Sequence, residues 1–226
     1  MKKYISLILF LIVSNSVILA QRTELCEMEV LLGGGPNMFF CDIGDGGIGT
    51  VGFIAARYYV KNDIVARLNL AYAVGIDTDE GTKNFTRKYS YKTQIIESTI
   101  QLEYYFFYTD LFGRKDWNGL VLNIPKLGLY AFAGAGTIFF NPNPEAGNQD
   151  YTFDDDYSKI SLVVPYGLGM QYRFDKRWAA SFEVGRRFIL SDYLDGFSPE
   201  ASDKNDMYYF ALISVNYRFM PFSGIK

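Results

Sequence analysis

The chain of 226 residues contains no histidine. That absence removes the usual general base and the commonest catalytic metal ligand, and with them a proton-shuttling triad. Cysteine is almost missing as well: Cys26 and Cys41 are too few for a disulfide scaffold or a four-cysteine zinc site. There is no excess of charge of one sign. With 22 Lys+Arg against 25 Asp+Glu the net charge is −3, too near neutral for a nucleic-acid binder. Past the first twenty residues no apolar run is long enough for a membrane helix. Disorder is excluded by 49% apolar residues. The composition points away from an enzyme and calls for no cofactor, no metal and no small-molecule substrate.

What is abundant is aromatic: 18 Tyr and 19 Phe. At the N-terminus, Lys2 and Lys3 precede an apolar run from Ile5 to Val13 broken by Ser6. Ser14-Asn15-Ser16 and Val17 to Ala20 follow. This is the layout of a secretory signal peptide, with cleavage expected after Ala20. Residues 1–20 then form a leader, and residues 21–226 an exported domain. Glu24 and Leu25 replace the small residues expected before a lipidated cysteine, so Cys26 is no lipid anchor. Exported cysteines meet an oxidising space. Cys26 and Cys41 are open to an internal bond, to two free thiols, or to Cys26 pairing with a periplasmic partner.

The mature chain alternates with a period of two. In 96–106, Ile96, Ser98, Ile100, Leu102, Tyr104 and Phe106 share one face, and Glu97, Thr99, Gln101 and Glu103 the other. This is a strand pattern. Eight such segments are expected, at roughly 25–34, 50–60, 64–76, 95–108, 127–140, 159–174, 177–190 and 206–219. Tight turns at 61–63 and 175–177 alternate with long polar connections near 36–49, 77–94, 141–158 and 191–205. Short turns on one side and long loops on the other mark an outer-membrane barrel. The expected fold is all-β: an eight-stranded antiparallel up-and-down transmembrane β-barrel in the cell outer membrane of a Gram-negative bacterium, with outer-membrane lipid around it. An even strand count puts both termini in the periplasm. Tyr58, Tyr59, Tyr104, Tyr105, Tyr108, Tyr172, Tyr217 and Phe219 suit interfacial belts.

A soluble lipocalin-like barrel would show the same period with its apolar face inward. Charge type separates the two. The polar face carries Glu29, Arg57, Arg67, Glu97, Glu103, Glu183, Arg187 and Arg218, of both signs and with little lysine. That suits a narrow lumen in which charges pair. Eight strands leave an interior filled by side chains rather than a wide pore.

The remaining clusters read as ordinary surface. Asp77, Asp79 and Glu80, and Asp154 to Asp156, are solvated loop charge, with calcium a lesser alternative at the second. Gly33-Gly34-Gly35 lacks the lysine and helix of a phosphate loop and reads as turn and small lumen-facing residues near the barrel rim. One connection breaks the barrel rule. Residues 109–126 should be periplasmic yet are long, and hold Arg114, Lys115, Asp116 and Trp117. They form either an extension of the flanking strands or a docking surface.

The most specific stretch is Glu183-Val184-Gly185-Arg186-Arg187-Phe188-Ile189-Leu190-Ser191-Asp192-Tyr193-Leu194-Asp195-Gly196-Phe197-Ser198. It resembles the E-x-G-x-R-x-x-x-T-D-Y-L-D-D-V-S hallmark of PorG-like outer-membrane proteins of Bacteroidetes, part of the type IX secretion and gliding machinery. Ser191 stands for Thr, and Gly196 and Phe197 for Asp and Val. Glu183, Gly185, Arg187, Asp192, Tyr193, Leu194, Asp195 and Ser198 carry the match. The resemblance implies a non-enzymatic barrel that anchors periplasmic ring subunits, a ring lipoprotein among them, to the outer membrane. Arg114, Lys115, Asp116, Trp117 and Cys26 are its candidate partner-binding residues. A barrel binding extracellular ligands through its long loops is the alternative.

Overall fold

The structure is a computed structural model describing residues 28–44, 46–60, 63–82, 86, 88–108, 126–147, 157–175, 177–197 and 206–219. Eight strands form in it: β1 (Met28–Phe40), β2 (Ile48–Tyr59), β3 (Ile64–Thr78), β4 (Tyr89–Tyr108), β5 (Lys126–Ala146), β6 (Ile160–Arg173), β7 (Trp178–Ile189) and β8 (Met207–Phe219). Each is antiparallel to the next, and β8 closes on β1. The chain is an eight-stranded antiparallel up-and-down transmembrane β-barrel.

Period-two alternation decides which side faces out. In β3, Val65, Arg67, Asn69, Ala71 and Ala73 are buried, while Leu68, Leu70 and Tyr72 are at least half exposed. Leu68, Ile100 and Val164 are 57%, 66% and 40% exposed, whereas Arg57, Arg67, Glu97 and Glu103 are at most 1% exposed. The charges are inside and the aliphatic side chains outside, the reverse of a lipocalin. Such an exterior is stable against hydrocarbon, where an unpaired N–H or C=O costs several kcal/mol and only a closed sheet leaves none. Tyr58, Tyr104, Tyr172 and Phe219 point outward at the strand ends. Tyr59 and Tyr105 do not belong to that belt. They are the alternate residues of the same pairs and point into the lumen, where Tyr105 is 5% exposed. A bulge between Tyr105 and Phe107 shifts the register, so Phe106 and Phe107 both face outward.

Three strands outrun their expected limits by six residues. β1 continues through Gly33-Gly34-Gly35 to Phe40, pairing Gly33 with Phe53 and Gly35 with Val51. The glycines are not a turn. A Cβ on lumen-facing Gly33 would stand 2.7 Å from the Ser214 side chain and 2.8 Å from the Phe53 ring, so its absence admits both. β4 starts at Tyr89, and β5 runs to Ala146 through Asn141-Pro142-Asn143-Pro144. Beyond Phe139, β5 pairs only with β4, and on such an edge a proline withholds no needed N–H.

Met28 pairs with Phe219, so the described chain enters and leaves at one end. That end also carries the short β2–β3 and β6–β7 connections. The connections at the opposite end are longer than these two.

Candidate functional site

The lumen near the short turns is a charge network. Arg57 on β2 is its hub. Its Nε donates to Glu103 Oε1 at 2.9 Å, and its Nη2 to the Tyr130 hydroxyl at 2.8 Å and to Glu183 Oε1 at 3.2 Å. The Tyr130 hydroxyl passes the chain on, donating to Glu183 Oε1 at 2.6 Å. Arg67, directly opposite Arg57 on β3, bridges Glu183, Glu103 and the Gln101 side-chain oxygen. Nearer the short turns, Glu29 takes Arg173, Arg218 at 2.9 Å and Gln171 at 3.0 Å. Further up, Arg187 Nε lies 3.7 Å from Glu97 Oε2, which also accepts the Tyr208 hydroxyl at 2.6 Å. The Arg187 guanidinium sits 4.2 Å from the centroid of the Phe210 ring.

Gly169 on β6 and Gly185 on β7 make room for the long side chains. A Cβ on Gly185 would stand 2.6 Å from the Phe132 ring and 3.0 Å from Arg187 Nη1. Gly169 likewise clears the Tyr130 ring. Every carboxylate in the network has a guanidinium beside it. This is the condition under which buried charge is tolerated, and these groups are structural counter-ions.

Above Arg187 the lumen turns apolar. Phe39, Val51, Ala73, Ile95, Ile138, Phe140, Val163, Ile189 and Phe210 pack into one cluster. The segment after β7 closes over it. Leu194 and Asp195 are fully buried in the barrel mouth, Leu194 within the apolar cluster. Asp195 staples two loops: Oδ2 accepts the Ile43 N–H at 2.8 Å, and Oδ1 the Phe197 N–H at 2.9 Å. The Leu194 N–H donates to Asp206 Oδ2 at 2.8 Å, and its carbonyl accepts from the Thr93 hydroxyl at 2.7 Å. Tyr193 stacks on Tyr157, with centroids 4.7 Å apart. Gly196 turns the chain with a φ of +79°, open to glycine without strain.

Burial lifts the Asp195 carboxyl to about 7 against the lowering pull of its two N–H donors, and Asp42 adds to the rise. Burial and the Asp195 charge raise Asp206 in the same direction. Burial also pushes the Cys41 thiol up, with Asp206 and Asp195 adding to it.

The Glu183–Ser198 stretch thus divides. Glu183, Gly185 and Arg187 line the lumen from β7, while Asp192, Tyr193, Leu194 and Asp195 form the cap. Ser198 lies outside the described residues, as do Cys26, Arg114, Lys115, Asp116, Trp117, the leader and Asp154 to Asp156. Asp77 and Asp79 are not solvated loop charges. Asp77 accepts the Gly47 N–H at 2.6 Å, and buried Asp79 the Gly44 N–H at 3.1 Å, fixing the β1–β2 connection from β3. Among the described residues no group of three or more His, Cys, Asp or Glu could hold a metal ion.

The family described as Domain of unknown function (DUF6089) matches residues 2–226. The chain belongs to this DUF6089 family. No curated protein matches it. Among solved structures it is similar to Neisserial surface protein A, at 13% identity over 85% of this chain and 97% of that one, with a TM-score of 0.46. A major outer membrane protein from Thermus thermophilus is 14% identical over 86% and 99%, with a TM-score of 0.46. The N-terminal β-barrel domain of Pseudomonas aeruginosa OprF is 13% identical over 85% and 97%, with a TM-score of 0.43.

Several residues of the DUF6089 barrel carry no mark in the sequence that sets them apart. Tyr130, Gln101, Gln171 and Arg173 are polar tips on the inward face, and their partners lie 34 to 144 residues away. Asp206 looks like one more loop aspartate. Its only signal is its place immediately before β8.

Proposed function

We propose that the chain is a non-enzymatic, non-conducting barrel of a Gram-negative outer membrane, working as a membrane anchor for a periplasmic assembly. The observation that carries this reading is a lumen filled twice, by the Arg57–Glu103–Glu183 network and by the apolar cluster under Leu194. A filled eight-stranded barrel passes no bulky solute, which leaves its exterior and its two ends as working surfaces. An exported chain with a lipid-compatible barrel belongs in the outer membrane. The end at which Met28 and Phe219 pair is then periplasmic.

The likeness of Glu183–Ser198 to the PorG-like hallmark supports the finer reading of a type IX secretion component that holds ring subunits, including a lipoprotein, at that end. Residues 109–126, with Arg114, Lys115, Asp116 and Trp117, are the proposed contact, and Cys26 is a second candidate, through a bond to a periplasmic partner. Deleting 114–119 from a barrel that still folds should abolish co-purification of ring subunits. Unchanged co-purification rejects this surface. A second reading rests on the β4–β5 hairpin, which extends to the pair Tyr89–Ala146 at the long-loop end. Under it that end binds extracellular ligands, and deleting 148–156 should abolish binding while secretion continues.

A further inference from the structure

The outward face of a membrane strand is apolar as a rule, because a charge is far more costly at mid-bilayer than at the interface. β7 breaks the rule at Arg186. Its outward neighbours along the strand are Phe182, Val184 and Phe188, all exposed. Among the described residues the Arg186 guanidinium touches only the Met207 sulfur and, at 5.7 Å, the Tyr209 ring. Its Nε is buried and finds no acceptor, and no carboxylate pairs with it among the described residues. Across the neighbouring strands it stands in register with Tyr166 and Tyr209.

Beside it lies an apolar groove of about 550 Å³ on the outside of the β7–β8–β1 seam, lined by Pro36, Met38, Ile48, Val184, Tyr209 and Ala211. The groove exists because the seam is thin there. Outward positions hold Gly34, Pro36 and Ala211, and the β1–β8 pairing skips from Gly34↔Ile213 to Asn37↔Phe210. Phe40, set edge-on to Tyr209 at 5.5 Å, closes its upper end.

Depth fixes the chemistry. Trp178 marks the short-turn interface, packed against Tyr217. Eight residues of strand at about 3.3 Å each, tilted by about 40°, put Arg186 about 20 Å higher along the membrane normal. The apolar band is about 25 Å tall, so Arg186 lies just under the headgroups at the long-loop end. A lone cation, two phenols in register with it and an apolar trough alongside match an anionic headgroup and the adjoining stretch of its acyl chain.

We propose that the β7–β8–β1 seam binds one net-anionic phospholipid from the leaflet at the long-loop end, its phosphate on Arg186 and an acyl chain in the groove. The test uses the full-length mature protein, extracted in detergent from bilayers containing phosphatidylglycerol or phosphatidylcholine and weighed intact by native mass spectrometry. Wild type should retain one phosphatidylglycerol. Arg186→Gln should lower that retention about tenfold, the size of one lost charge-assisted contact, with circular dichroism unchanged. Ala211→Trp, which fills the groove and keeps the charge, should lower it as well. If Arg186→Gln fails to fold, the Ala211→Trp result decides. Equal retention of both lipids by wild type, retention unaffected by either change, or a protein dimer in place of bound lipid would each overturn the proposal. None of these readouts depends on periplasmic partners.

Discussion

The two halves of the lumen are filled in different ways. Toward the short turns, Arg57, Arg67, Glu103 and Glu183 hold β2, β3, β4 and β7 together by charge. Toward the long loops, Phe39, Ile138, Phe140, Leu194 and Phe210 do so by close packing. The first half consists wholly of strand residues and has no loop to lose. The second is completed by a loop, Ser191 to Phe197, and so has a part that can open while the strands stay paired. In a barrel with room only for side chains, both solutions block the axis. They differ in what their failure costs.

The largest effect should come from the charged half. Arg57→Met strands Glu103 and Glu183 without their hub. Breaking a buried pair costs about 3–5 kcal/mol, read as a lower urea midpoint for unfolding in lipid vesicles. A shift under about 1 kcal/mol would mean that the network is not holding strands together. Next comes the apolar half. Leu194→Ala removes a fully buried side chain, a change worth about 2–5 kcal/mol where the cavity does not collapse. Here the loss should fall on the cap: amides of Leu194 and Phe197 exchange hydrogen faster, while the midpoint of the barrel barely moves. A midpoint falling as far as in Arg57→Met would erase the distinction between the halves.

The smallest effect is one of pH. Asp195 titrates near 7 in the folded cap against an ordinary 3.8, so the folded cap binds the proton more tightly than the open one. Ionisation therefore works against closure. The cap should hold best toward pH 4 and loosen as pH rises through 7. Asp42, Asp192 and Asp206 surround the same site and push the same way. Amide exchange in 193–197, corrected for its intrinsic pH dependence, should reveal more frequent opening at pH 8 than at pH 5. Asp195→Asn should flatten that trend.

The barrel could be read from sequence because each strand keeps its period for ten or more residues and the turns alternate in length. The two signs of charge on one face pointed to a lumen before any partner was known. Which arginine meets which glutamate could not be read, because register is set by closure of the whole sheet. Glu29 and Arg173 meet only because β1 and β6 share one narrow lumen. The strand extensions were hidden for a local reason. Gly33-Gly34-Gly35 and Asn141-Pro142-Asn143-Pro144 have the composition of turns, and only the neighbour's side chain in one case and the free edge in the other make strand acceptable there. Asp192 to Asp195 reads from sequence as a loop-anchoring turn whose carboxylates take backbone N–H groups, as Asp195 does. Its entry into the lumen was hidden because a loop folding back into a barrel leaves no periodic trace. Asp79 and Asp206 read as surface until the backbone N–H groups they accept from are placed.

The sealed lumen is tested most directly by single-molecule conductance in a planar bilayer, with insertion verified independently. Wild type should insert and give no discrete current steps at pH 5 or pH 8, and Leu194→Ala should stay silent too, because the charged half still blocks the axis. Regular steps from the wild-type barrel would contradict the account.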